Sequence, residues 1–322
     1  MTIQTLPAAS GNQRRAVLQA SNDDWPATFR HVLLERLGAA PEKIVPGTPA
    51  TFKVRLGRRY EKATAILFAN QQAGYYESKL HPEEGAWFAG QDANIQSSEA
   101  DTREGRRLYR EYLQSELRER WANCRLLRHT DLMAGLLSQH KLVGAELPEM
   151  RYRQSEDYEK VAKIPLRPIA PVMDAEGHLR AFASIYADEH RIQAQIEQGQ
   201  WGSNALELGT CSMVLFGLQH EHLGVAEGVE AALAARAMTG VPTVAVRDMA
   251  NMMRWQCPLH VKRVTIFSFA ARANVTAAHA LKARLETEGR RCDIQTMERP
   301  APPFRPLRNT WRVAPLQVAD EQ

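Results

Sequence analysis

Between residues 222 and 297 the chain alternates buried strands with helices, and this alternation limits its folds more than any other feature. HLGVAE reads as a strand, Glu227-Gly228 as a tight turn, and VEAALAARAMT as an Ala-rich helix stopped by Gly240. VPTVAVRD and VKRVTIFSF are two further apolar strands; VTAAHALKARLETEG is a helix ended by Gly289, and RCDIQTM is a last strand. Strands joined by helices of this length predict a parallel sheet with helical crossovers. In such sheets the polar working groups gather at the carboxyl ends of the strands. After VKRVTIF, however, the chain gives Ser268, Phe269, Ala270 and Ala271, and no Asp or Glu occurs from Met249 to Leu285.

The text upstream has other periods. PATFRHVLLERLG (26–38) carries one apolar helix face, with Pro26 at its start and Gly38 at its end. TFKVRLG alternates Phe52, Val54 and Leu56 with Lys53 and Arg55, as a half-buried strand with a basic outer face would. TAILFAN, AGYYESKL and HPEEGAWFAG complete the pattern of a small antiparallel meander. Residues 91–102 read as a linker, and 103–128 as a long amphipathic helix with Leu108, Tyr109, Tyr112, Leu113, Leu117, Trp121 and Cys124 on its inner face. Its arginines alternate with Glu111, Glu116 and Glu119, which favours a salt-bridged, solvated face. DLMAGLLSQHKL is a second helix, and RPIAPVM, the turn DAEG and HLRAFASIYAD form a hairpin.

The expected organisation is a small α+β domain at 1–100, a helical connector at 101–140, a β-rich segment at 141–221, the parallel α/β domain at 222–298, and a Pro-rich extended tail at 299–322. No stretch approaches the length of a membrane-spanning helix and the N-terminus lacks a signal-peptide pattern, so a cytoplasmic protein is expected. Cys124, Cys211, Cys257 and Cys292 are too scattered for a zinc ribbon and read as buried thiols. No GxxxxGK[ST] motif occurs, which excludes a P-loop motor.

VAEGVEAAL, TGVPTVAV, KRVTIF, AAHALKARLETEG and RCDI, in this order, resemble the Toprim domain of plasmid and phage primases. PIAPVMDAEGHLRAFASIYAD with WGSNALELG is similar to the β-rich segment that precedes Toprim in those proteins, and Trp121 to Arg153 to the helical region before it, so the resemblance spans about residues 118–297. It implies a site that holds one or two magnesium ions through a glutamate after the first strand and an Asp-x-Asp pair after a later one. Glu227 stands at the glutamate position, with Glu230 three residues on, but the aspartate pair is absent. Where relatives carry an acidic Asp-Trp motif in the tail, this chain has Arg308-Asn309-Thr310-Trp311-Arg312. The resemblance therefore implies a scaffold retained without its two-metal chemistry. Asp248, after VPTVAV, is the other weak metal candidate, and magnesium is expected only if Glu227, Glu230 and Asp248 form an atypical site. The plainer readings are a helix-capping role for Glu227, a solvated Glu230 and a turn-forming Asp248. Ser268 has no general base near it in sequence.

Residues 1–130 hold 19 Lys and Arg against 15 Asp and Glu, so the formal net charge of +4 lies there, the remaining 22 and 22 cancelling. Within them, Lys53, Arg55, Arg58, Arg59 and Lys62 surround Tyr60 and are relieved only by Glu61. Such a strand face beside Tyr75, Tyr76, Trp87 and Phe88 could neutralise phosphates and stack on unpaired bases, unless those aromatics form the meander's own core. These features lead to the expectation of a catalytically degenerate, primase-like Toprim protein of a plasmid, phage or other mobile element. It would bind DNA or RNA, single strands favoured, within a replication, transfer or defence-related assembly. The alternatives are a protein-interaction subunit with no nucleic-acid contact, and a magnesium-dependent primase or nuclease on the atypical site.

Overall fold

A computed structural model describes residues 24–56, 58–78, 84–89, 98–142, 146–152, 168–187, 191–197, 203, 205–298 and 312–313. The chain divides into two compact units, Met1–Tyr112 and Leu113–Gln322. No helix among the described residues is long and apolar enough to cross a membrane.

The first unit opens with α1 (Trp25–Leu37), whose N-cap Asp24 accepts the Ala27 amide and whose C-terminus closes on Gly38 in the left-handed conformation. An antiparallel meander follows: β1 (Ala50–Leu56), β2 (Arg59–Leu67), β3 (Ala73–Ser78) and β4 (Glu84–Phe88), hydrogen-bonded in sequence order. One face buries Val54, Ala63, Ala65, Tyr76 and Trp87 against Phe29, Val32, Leu33 and Leu37 of α1. Glycine at position 74 makes that contact possible, because a Cβ there would lie 2.4 Å from the Phe29 ring. The other face meets the start of α2 (Glu99–Ala122): Gly105 packs on Ala86, and the Tyr109 ring lies 5.1 Å from Tyr75.

Two sequence expectations change here. The helix begins at Glu99, inside the stretch read as linker, because Ser98 caps it: its Oγ accepts the Asp101 amide at 3.1 Å and donates to the Asp101 carboxylate at 2.8 Å. It also stops at Ala122 rather than Arg128, the chain turning so that β5 (Arg125–Leu126) can pair with β6 (Arg151–Tyr152). Two of the α2 arginines are held by carboxylates one turn away: Arg103 by Glu99, and Arg107 by both Glu104 and Glu111.

In the second unit, α3 (Leu132–Gln139) follows β5, and β6 leads to β7 (Pro168–Met173), β8 (Leu179–Ala187) and β9 (Ile192–Ile196). The short α4 (Ala205–Leu208) and β10 (Ser212–Met213) connect to the α/β part. There β11 (His222–Glu227), α5 (Val229–Thr239), β12 (Thr243–Val246), α6 (Met249–Arg254), β13 (Arg263–Phe269), α7 (Arg272–Thr287) and β14 (Arg291–Glu298) succeed one another; β15 (Arg312–Val313) pairs with β14. The 11-stranded sheet runs β15-β14-β13-β11-β12-β10-β7-β6-β5, with β8 and β9 continuing from β7. Within it β14, β13, β11 and β12 are mutually parallel. The rest of the tail lies outside the described residues.

The strand order places a topological switch between β11 and β13. From β11 the chain crosses to β12 on one side, then returns past β11 to β13 on the other. Right-handed crossovers require the helices of the two excursions to lie on opposite faces. Accordingly α5 packs with Ala226 and Phe267 on one face, and α6, through Met252, joins α7 on the other with Val225, Val264 and Ile266. The four cysteines are free and buried, and burial pushes Cys211 and Cys292 up to about 11 and Cys257 up to about 12. Raised in this way, the thiols of Cys211, Cys257 and Cys292 are poor nucleophiles at neutral pH.

Candidate functional site

Ligands of open parallel sheets sit where neighbouring strands send their chains to opposite faces, outside the carboxyl ends. Here that place lies between the ends of β11 and β13. Ala226 is level with Phe267, so Glu227 and Ser268 follow side by side on the α7 face. Gly228, at φ 82°, turns the chain from β11 directly into α5, a conformation that a side chain would strain.

Glu227 is half-buried, and its Oε2 accepts a hydrogen bond from the side-chain amide of Asn274. Asn274 is 9% exposed and sits in the first turn of α7, so the bond ties that helix to the end of β11. Ser268, 2% exposed, donates its hydroxyl to the Phe269 carbonyl at 3.1 Å. Phe269 turns to the opposite face and packs with the α5 cluster. The capping reading of Glu227 does not describe the geometry: the N-cap of α5 is Gly228, with no side-chain cap, and Glu227 reaches across to α7 instead.

Asp248 lies two residues past Val246, the register partner of Glu227. Both its oxygens are engaged: Oδ1 accepts the Asn251 amide at 2.8 Å as the N-cap of α6, and Oδ2 accepts Arg247 Nε at 2.8 Å. Burial pushes this carboxyl up, but the Arg247 guanidinium and the backbone amides of Asn251 and Ala250 outweigh it and hold the group below the usual carboxylate range. A folded-state value lowered in this way contributes stability above about pH 4 that is lost as pH falls. Asp248→Asn is therefore expected to flatten the acid side of the stability profile below about pH 4. Asp248→Ala should cost about 1 kcal/mol at neutral pH through loss of the cap, as urea unfolding would show. Glu230 is half-buried in the first turn of α5, where the helix dipole favours a carboxylate.

Among the described residues, Asp174, Glu176 and His178 are the one group of three whose ligand atoms converge. They close the β7–β8 turn. Asp174 already accepts the His178 amide at 2.8 Å and Arg180 Nε at 2.7 Å, so the cluster is satisfied as a turn.

The basic residues of the first unit lie on the β1–β2 hairpin. Lys53 stands directly opposite Lys62, and Arg55 opposite Tyr60, on the exposed face. Tyr60 is 69% exposed, and Arg58 and Arg59 are exposed beside the turn. Glu61, between them in sequence, points to the other face and is buried. Tyr75, Tyr76 and Trp87 are buried in the unit's interior and cannot serve as stacking surfaces; Tyr60 alone of the hairpin aromatics is open. Alternation identified these strands. Which aromatic faced outward depended on register, which the sequence did not show.

Residues 222–301 match the model of a family described as the Toprim domain. No curated protein matches the chain. Among solved structures the chain is similar to a DnaG primase catalytic domain bound to ssDNA, at 14% identity over 59% of this chain and 74% of that one, with a TM-score of 0.37. It is similar to a DnaG catalytic core at 13% identity over 59% and 70%, with a TM-score of 0.31. For a DNA primase domain from Pseudomonas aeruginosa the values are 14%, 55% and 53%, with a TM-score of 0.28. Over residues 222–301 this chain is similar to the Toprim domain.

Proposed function

We propose that this chain is a primase-like Toprim protein that binds nucleic acid, single strands in preference, and carries out no metal-dependent phosphoryl transfer. The observation that supports it is the carboxylate inventory at the β11–β13 switch: Glu227 ends one strand, its oxygen is taken up by the Asn274 amide, and Ser268 stands where the neighbouring strand ends. Magnesium demands near-octahedral oxygen coordination and usually takes one or more carboxylates with its waters. Asn274 presents an NH2 group to Glu227, which repels a cation, and the oxygens of Asp248 are committed to Arg247 and the α6 cap. The residues present do not fit a Toprim metal pair, and no catalytic step is assigned to this site. What the domain keeps is a rigid α/β platform, and what the chain adds is the cationic hairpin at Lys53, Arg55, Arg58, Arg59 and Lys62 with Tyr60. A setting in the replication, transfer or defence assembly of a plasmid, phage or other mobile element is part of this proposal and rests on the Toprim domain type.

Fluorescence anisotropy with labelled oligonucleotides tests the reading. The full chain is expected to bind single strands with an affinity that falls as salt rises and is the same with magnesium or with EDTA. Primer synthesis or strand cleavage that requires magnesium and disappears in Glu227→Ala would refute it in favour of an atypical metal enzyme on Glu227, Glu230 and Asp248.

A further inference from the structure

We infer that the exposed face of the β1–β2 hairpin is a single-strand track, with a phosphate between Lys53 and Lys62 and an unpaired base on Tyr60. The inference rests on the nucleic-acid reading above and assigns that reading its place and mode.

The register carries it. Directly opposed residues of an antiparallel pair bring their Cβ atoms to about 4.5–5.5 Å, and like charges placed so are destabilising. Lys53 and Lys62 are such a pair, and among the described residues neither forms an ion pair. The nearest carboxylate on the same face of the next strand is Glu77, opposite Thr64, and it accepts the Tyr75 hydroxyl at 3.2 Å. An anion between the two ammonium groups would turn the repulsion into two attractions. One step along the hairpin, about 6.8 Å for two residues, Arg55 faces Tyr60. That step is one an extended polynucleotide can match from backbone to backbone. A phenol ring open to solvent beside a guanidinium offers a surface on which a base stacks, and only an unpaired base presents its face.

A bland account covers half of the pattern. β1 pairs only with β2 among the described residues, and lysines on an edge strand guard against pairing with other chains. This explains Lys53 and Arg55 but not Lys62 and Tyr60, which lie on the interior strand β2.

The test uses the full chain, labelled oligo-dT and oligo-U, a DNA duplex, and inorganic polyphosphate as competitor. Tyr60→Ala should weaken oligo-dT binding by about 5- to 150-fold while leaving competition by polyphosphate unchanged. Lys53→Gln/Lys62→Gln should lower the slope of log affinity against log salt by about 0.7, the share of the one phosphate the pair holds, and melt no lower than the parent, because it removes a repulsion. If the parent binds oligo-dT and both variants bind it equally well, the track is wrong and the nucleic-acid reading stands. If the duplex binds as tightly as the single strand, the single-strand assignment is overturned. If the parent binds none of the polymers at low salt, both the track and the reading beneath it fall.

Discussion

Asn274→Leu is expected to destabilise the second unit by about 1.5–3 kcal/mol, the range for losing a hydrogen bond to a charged group in a partly buried setting. The amide of Asn274 is the partner the structure gives to Glu227 Oε2, and a leucine would leave that carboxylate against an apolar side chain at the end of β11. The double variant Asn274→Leu/Glu227→Leu should recover most of the loss, since replacing both partners by apolar groups leaves nothing unsatisfied. The cycle of two single variants and the double isolates the pair, and urea unfolding gives each value. Additive losses would show that the two side chains do not act on one another. A metal-binding Glu227 would behave differently: Asn274→Leu would free its oxygen, and magnesium would raise the stability of that variant.

Trp255→Ala is expected to cost about 3–5 kcal/mol, the range for truncating a large buried aromatic. Trp255 is 1% exposed at the end of α6 and belongs to the cluster that joins Val246, Met252, Ile266 and Leu281 under α7. Arg284 of α7 donates to its carbonyl, so ring and backbone together fix α7 on the sheet. Because α7 carries Asn274, loosening it should also release Glu227, and hydrogen exchange in the first turn of α7 should quicken more than in α5. Equal quickening in both helices would indicate general loss of structure and not a specific anchor.

The parallel α/β part was legible because each of its signals is local. Val225, Val264 and Ile266 are apolar on strands buried from both faces, and Gly240 and Gly289 mark the ends of two helices. The missing aspartates were equally plain, since an absence over Met249–Leu285 holds under any alignment. What replaced them was not legible. The Glu227–Asn274 bond joins residues 47 apart in sequence and exists only because the strand order lays the start of α7 beside the end of β11. The start of α2 could have been read from Ser98 and Asp101, spaced as a capping box, but it lay in a stretch whose composition suggested a linker. Its end could not: Arg125–Leu126 pairs with a two-residue strand at Arg151–Tyr152, too short for any period. The short helix α6 was missed for the same reason, although Asp248 before it is a good cap. On the hairpin, composition found the cations, and only register showed that Lys53 and Lys62 face one another and that Tyr60 is the aromatic left outside.

The most direct measurement is an anomalous difference map from crystals soaked in manganese, which occupies magnesium sites and can be seen unambiguously. The account predicts no ordered ion beside Glu227, with its carboxylate still on the Asn274 amide. A manganese ion there, held by three or more acidic oxygens after Asn274 has swung away, would contradict it.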